Sequence, residues 1–194
     1  MSTKNAPSNV KQLPVPEQRM ALDEAALEAA RHSLDAGAVT PSYGPWRADI
    51  IKLLNDSLAT ELVCVLRYKR HHFTADGLAS PKIAEEFLVH ANEESAHADL
   101  LAERIVQLGG IAEGTARTVA ERSELDEYPV TIASGTDHVR AMSSALAAFG
   151  SRMRLTTREV DELEDAGSAD ICTEISRGID KWLWFVESHG QAKS

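Results

Sequence analysis

Four stretches of this chain repeat apolar side chains every three or four positions over roughly 20 to 30 residues each, and none alternates with period two for long. That spacing predicts long amphipathic helices and no sheet. The first stretch, about 47–73, carries Leu54, Leu58, Glu61, Val65 and Tyr68 on its stripe, with His72 next. The second, about 81–108, carries Ile83, Phe87, His90, Glu94, His97, Leu101 and Ile105 and stops at Gly109 and Gly110. The third, about 136–165, places Val139, Met142, Leu146, Phe149 and Met153 together. The fourth, about 168–188, does the same with Ile171, Ile175, Ile179, Trp182, Leu183 and Val186. Gly167 marks the expected turn between them. Residues 111–135 read as a long irregular connection with a small helix near 119–122. The sum is an all-α, antiparallel four-helix bundle over 47–189 with a long crossover between helices two and three. Ahead of it we expect a disordered, proline-bearing tail over 1–16, then an extra short helix and loop over 17–46. A short tail, 190–194, follows it.

Composition narrows the function. A net charge of −10 disfavours a general nucleic-acid surface, which needs a basic patch. No run of eighteen apolar residues is present, and the polar N-terminus has no apolar signal core. Cys64 and Cys172 lie far apart without a paired motif, so they are expected as core fillers of a reduced, cytoplasmic protein.

Two polar features interrupt the stripes. Glu61 sits mid-stripe on helix one, where a carboxylate is costly unless paired or bound to a cation. Glu94 and His97 stand three apart on helix two, neighbours on one face, so a carboxylate and an imidazole can converge on one ion. Such an O/N set suits iron or manganese. An isolated pair of this kind is common by chance, and a paired core glutamate would look the same as Glu61. Tyr68, two turns beyond Glu61, is placed to hydrogen-bond a ligand or donate an electron. Asp99 lies about 140° around the helix from Glu94, so Asp99 and Glu103 face elsewhere. A solvated face is the plainer account of those two. His90 reads as a satisfied polar core residue, and His71 and His72 as solvent-facing groups at a helix end.

The segments ELVCVLRYKRHHF and EEFLVHANEESAHADLLAERIVQLGG resemble the first two helices of bacterioferritins. GTARTVAERSELDEYP and DICTEISRGIDKWLWFVESH resemble the DNA-protection-during-starvation (Dps) mini-ferritins. Together the likenesses span about 38–189, and both families are similar at 102–110. The chain thus reads as a bacterioferritin front joined to a Dps back, natural or engineered. The ferritin-like resemblance implies a cage that oxidises Fe(II) with O₂ or H₂O₂ and stores ferric iron.

The bacterioferritin likeness implies an intrasubunit di-iron centre, of which Glu61, Glu94 and His97 match the first half and Tyr68 the nearby tyrosine. The expected second half is missing: helix three is apolar at its centre, and the helix-four ligands fall at Ile179 and Trp182. The Dps likeness implies a site between subunits, matched by His72, Asp99 and Glu103, although two further expected ligands fall at Ala84 and Leu88. Ser95 occupies the haem methionine position of bacterioferritins, so no haem is expected. The Dps-like connection, with no fifth helix after the fourth, implies a twelve-subunit shell. Lys4 and Lys11 make a weak basic tail, so DNA binding is not expected. The alternative function is a ferritin-fold cage with incomplete metal sites and little ferroxidase activity.

Overall fold

The computed structural model describes residues 46–74, 81–127 and 130–190, together with Ala25. The expected tails apart from Gly190, and the N-terminal helix and loop apart from Ala25 and Trp46, lie outside the described residues. Five helices hold most of the described residues: α1 (Arg47–Thr74), α2 (Pro81–Gln107), α3 (Ala116–Arg122), α4 (Gly135–Glu162) and α5 (Ala166–Gly190). α1 packs chiefly on α2 and α4 chiefly on α5. The two pairs join through α1 against α4 and α2 against α5. The stripes face inward: Leu54, Leu58, Tyr68, Leu101, Ile105, Leu146, Phe149, Met153, Ile175 and Ile179 are all buried.

Local chemistry sets the ends. Gly109, with φ 74°, turns α2 off in a left-handed cap. The Gly110 N–H donates to the Ile105 carbonyl at 2.8 Å, and the Gly109 N–H to Val106 at 2.9 Å. The hydroxyls of Thr115 and Ser134 accept from the N–H groups of Thr118 and Asp137, starting α3 and α4. The turn expected at Gly167 falls earlier. α4 ends in a left-handed residue that is not glycine, Glu164 (φ 63°), and α5 begins at Ala166. Asp165 caps α5 by accepting from the Ser168 N–H at 3.1 Å and also receives the Arg104 guanidinium at 2.8 Å. Gly167 is helical; a Cβ there would lie 3.2 Å from Arg104 Nη2, so its small size serves packing rather than the turn.

The connection between α2 and α4 is less irregular than its sequence suggests. Buried Asn55 donates to the Ile111 carbonyl at 3.1 Å and accepts from the Glu113 N–H at 2.9 Å. Arg122 of α3 bridges Asp56 and Glu113 at 2.7 and 2.8 Å. The crossover is thereby tied along α1.

Candidate metal centre

The three interior polar groups do meet. Glu61 of α1 and Glu94 of α2 are fully buried, and His97 is 9% exposed. The His97 Nδ1 lies 3.3 Å from Glu61 Oε1 and 4.0 Å from Glu94 Oε2. One donor atom from each residue falls within 4.8 Å of the others. Helical geometry explains half of this, since Glu94 and His97 share a face. The packing of α1 against α2 supplies the rest.

All four carboxylate oxygens of Glu61 and Glu94, and His97 Nδ1, are buried without a hydrogen-bond partner. Bare acceptors in such a place are expensive. Burial pushes the Glu61 carboxyl up to about 7, although the adjoining Glu94 carboxyl offsets part of the effect. Burial also raises the Glu94 carboxyl well above its usual range, and the charge of Glu61 adds to it. Without a cation both carboxyls therefore hold their protons to higher pH than ordinary glutamates do. A divalent ion would replace them and satisfy the orphaned acceptors together, so these residues fit a transition metal.

Tyr68 is fully buried and its hydroxyl has no partner. Burial raises its pKa first, and the charge of Glu94 next, which places the phenol within electrostatic reach of the trio. Its ring stands edge-on to His90 at 5.0 Å. His90 departs from expectation: it is fully buried, yet neither ring nitrogen has a hydrogen-bond partner. It packs on Trp182, ring centroids 3.5 Å apart, and burial pulls its pKa down to about 3. His71 also departs. It is buried rather than solvent-facing, with its Nδ1 against the Nδ1 of buried His138 from α4. Only the place of His90 on the inner stripe of α2 signals its burial in the sequence, and nothing there pairs His71 with His138. Cys64 and Cys172 are free and buried, and burial raises both thiols, as suits core fillers.

His72, Asp99 and Glu103 are not brought together within one chain. His72 Nδ1 contacts the Ala84 carbonyl at 2.5 Å near the start of α2. Asp99 lies fifteen residues further along that helix, ~22 Å at 1.5 Å per residue. Asp99 and Glu103 are exposed, and Glu103 accepts from Gln107 at 3.0 Å. Among the described residues, Glu61, Glu94 and His97 form the one such ligand group. The positions expected to supply the other half-centre, Ile179 and Trp182, are buried in the hydrocarbon core.

A ferritin-like domain profile matches residues 51–192. The chain is 34% identical over 148 residues to a DNA protection during starvation protein of Agrobacterium fabrum, covering 76% of this chain and 91% of the relative. An alignment of that length includes both sides of the 102–110 segment, so the Dps likeness is not confined to the second half. A Desulfovibrio desulfuricans bacterioferritin is 30% identical over 95 residues, 44% of this chain and 53% of the relative. The solved Mycobacterium smegmatis Dps structure shares the fold with a TM-score of 0.71 at 24% identity, covering 76% of this chain and 93% of that one. The chain belongs to the ferritin-like family and, within it, to the DNA-protection-during-starvation proteins.

Proposed function

We propose that this protein takes up Fe(II) at the bundle centre, oxidises it with O₂ or H₂O₂, and stores the ferric product inside a shell built from copies of itself. The observation that carries this reading is the set of five buried, unpartnered donor atoms on Glu61, Glu94 and His97. Iron is the substrate. The two carboxylates bind and orient it, the imidazole Nδ1 completes the grip, and the apolar walls of α4 and α5 exclude water. Two ferrous ions, bound at the centre one after the other, each give one electron to a peroxide, which takes up two protons and leaves as two waters. Tyr68 stands ready to supply an electron or a hydrogen bond beside the site.

The relatives' name speaks of DNA protection. With a net charge of −10, protection here is assigned to removal of Fe(II) and oxidant rather than to coating DNA. A twelve-subunit shell, a cytoplasmic location and the absence of haem belong to the same reading. No described helix is long and apolar enough to cross a membrane. His72, Asp99 and Glu103 stand at opposite ends of the α1–α2 pair, so a site built from them needs a second copy. The joined bacterioferritin and Dps character is read as a bacterioferritin-type ligand trio carried in a Dps frame.

A second reading, a cage with little ferroxidase activity, is favoured by α4 and α5, neither of which buries a carboxylate among the described residues. Mixing anaerobic metal-free protein with Fe(II) and then adding oxidant separates the two. Ferric absorbance that grows faster than in a protein-free control, and slows in Glu61→Gln, supports oxidation at the centre. Curves matching the control leave only the cage. Retardation of plasmid DNA at moderate salt would refute the protection route chosen here.

A further inference from the structure

We infer that the bundle centre is a site for one divalent transition-metal ion per chain, not a pair, and that Gly178 on α5 is the positioning residue that lets His97 close it. The inference rests on reading the trio as a metal site and adds its stoichiometry and its support from the opposite wall.

Charge decides the stoichiometry. Glu61 and Glu94 bring two negative charges, and a ligating imidazole is neutral. One divalent ion makes the set neutral. A second would leave two uncompensated positive charges inside the bundle, where buried charge is tolerated only when paired. The buried polar residues of α4 and α5 are His138, Thr156, Ser168 and Ser176, so neither helix offers a balancing carboxylate. His138 is engaged with His71 rather than with the trio. Donor count agrees, because two carboxylates and one imidazole offer at most five atoms. That nearly fills one octahedral sphere and leaves room there for water or oxidant, whereas two ions would each be starved.

Gly178 explains how the third ligand stays in place. It lies inside α5, where glycine weakens a helix relative to alanine, so its presence calls for a packing reason. A Cβ built at residue 178 would lie 2.6 Å from His97 Cε1, 3.0 Å from His97 Nε2 and 3.8 Å from His97 Nδ1, so an added methyl must displace the imidazole from its place. The ring of His97 thus occupies the space that a side chain from α5 would take. The same contact sets the direction of Nδ1 toward the two carboxylates.

Co(II) titration of the full-length, metal-free protein tests both parts, with bound metal counted per chain and followed by visible absorption. We expect one Co(II) per chain that Glu61→Gln abolishes, and at least a tenfold weaker affinity for that ion in Gly178→Ala. Two ions per chain lost together in Glu61→Gln would overturn the single-ion inference while leaving the metal-site reading intact. No ion sensitive to Glu61→Gln would overturn both. The clash is also read without metal, by thermal unfolding in chelator. Gly178→Ala should lower the melting temperature of the wild type but not of His97→Ala, where the ring is gone. Equal losses in both backgrounds, or wild-type Co(II) affinity in Gly178→Ala, would overturn the role of Gly178.

Discussion

Glu61→Gln keeps the shape of a buried side chain while removing its ability to ionise, and it is expected to stabilise the metal-free protein as it destroys metal binding. Burial lifts the Glu61 carboxyl from 4.5 to about 7, so between those values the folded chain holds a proton that the unfolded chain has released. The stability contributed by the neutral carboxyl is complete below 4.5 and is lost as pH rises through about 7. At about 1.36 kcal/mol per pH unit, that gap amounts to ~3 kcal/mol at pH 8 and less than ~1 kcal/mol at pH 5. Glu94, raised by burial and by its neighbour's charge, acts in the same direction. Glutamine carries no such penalty. Chemical denaturation in chelator, variant against wild type at each pH, cancels the titration of the other carboxylates. The variant should gain ~2–3 kcal/mol more at pH 8 than at pH 5, or ~5–10 °C in melting temperature. Added Co(II) should stabilise the wild type alone. A variant less stable than wild type at pH 8 without metal, or an equal gain at both pH values, would refute the claim that an unpaired buried carboxylate sits there.

Three further variants probe other parts of the molecule. Asp165→Ala removes the α5 cap and the carboxylate that pairs with the Arg104 guanidinium, whose side chain is 13% exposed; we expect a loss of ~3 kcal/mol by urea denaturation. Burial alone would raise the Asp165 carboxyl, but Ser168 and Arg104 outweigh it and hold the pKa below 3.8. Its stability is therefore present above that value and lost as pH falls through the folded one, and unfolding on acidification should come at higher pH in the variant. Tyr68→Phe should slow Fe(II) oxidation in stopped-flow absorbance while leaving Co(II) affinity within about twofold, because the phenol lies within electrostatic reach of Glu94 and Glu61. Asp99→Ala with Glu103→Ala should alter assembly or an interface site, read by size-exclusion chromatography, and leave the Co(II) lost in Glu61→Gln in place.

Much of the bundle was legible from periodicity. Val139, Met142, Leu146, Phe149 and Met153 are buried together as their spacing implied. Where glycine was the signal, the reading held at Gly109, which adopts the left-handed cap, and failed at Gly167, whose role is to leave space for Arg104. Composition cannot separate those two uses of a missing side chain. The buried cluster of Glu61, Glu94 and His97 was legible because carboxylates on an apolar stripe are costly and therefore conspicuous. His90 was misjudged for the opposite reason: a histidine on a stripe carries no sign of whether its nitrogens find partners, and here neither does.

By itself, the order of residues determined which side chains share a face of each helix, because 3.6 residues per turn is a local rule that needs no partner. It thus set Glu94 beside His97 and turned Asp99 away from both. The tertiary structure alone decided that Glu61 reaches them, that His71 meets His138, that Asn55 moors the crossover and that Gly178 receives the His97 ring. These depend on how far apart two helices lie and how each is rotated against the other. Such quantities arise from the packing of many side chains at once, and no short stretch of sequence contains them.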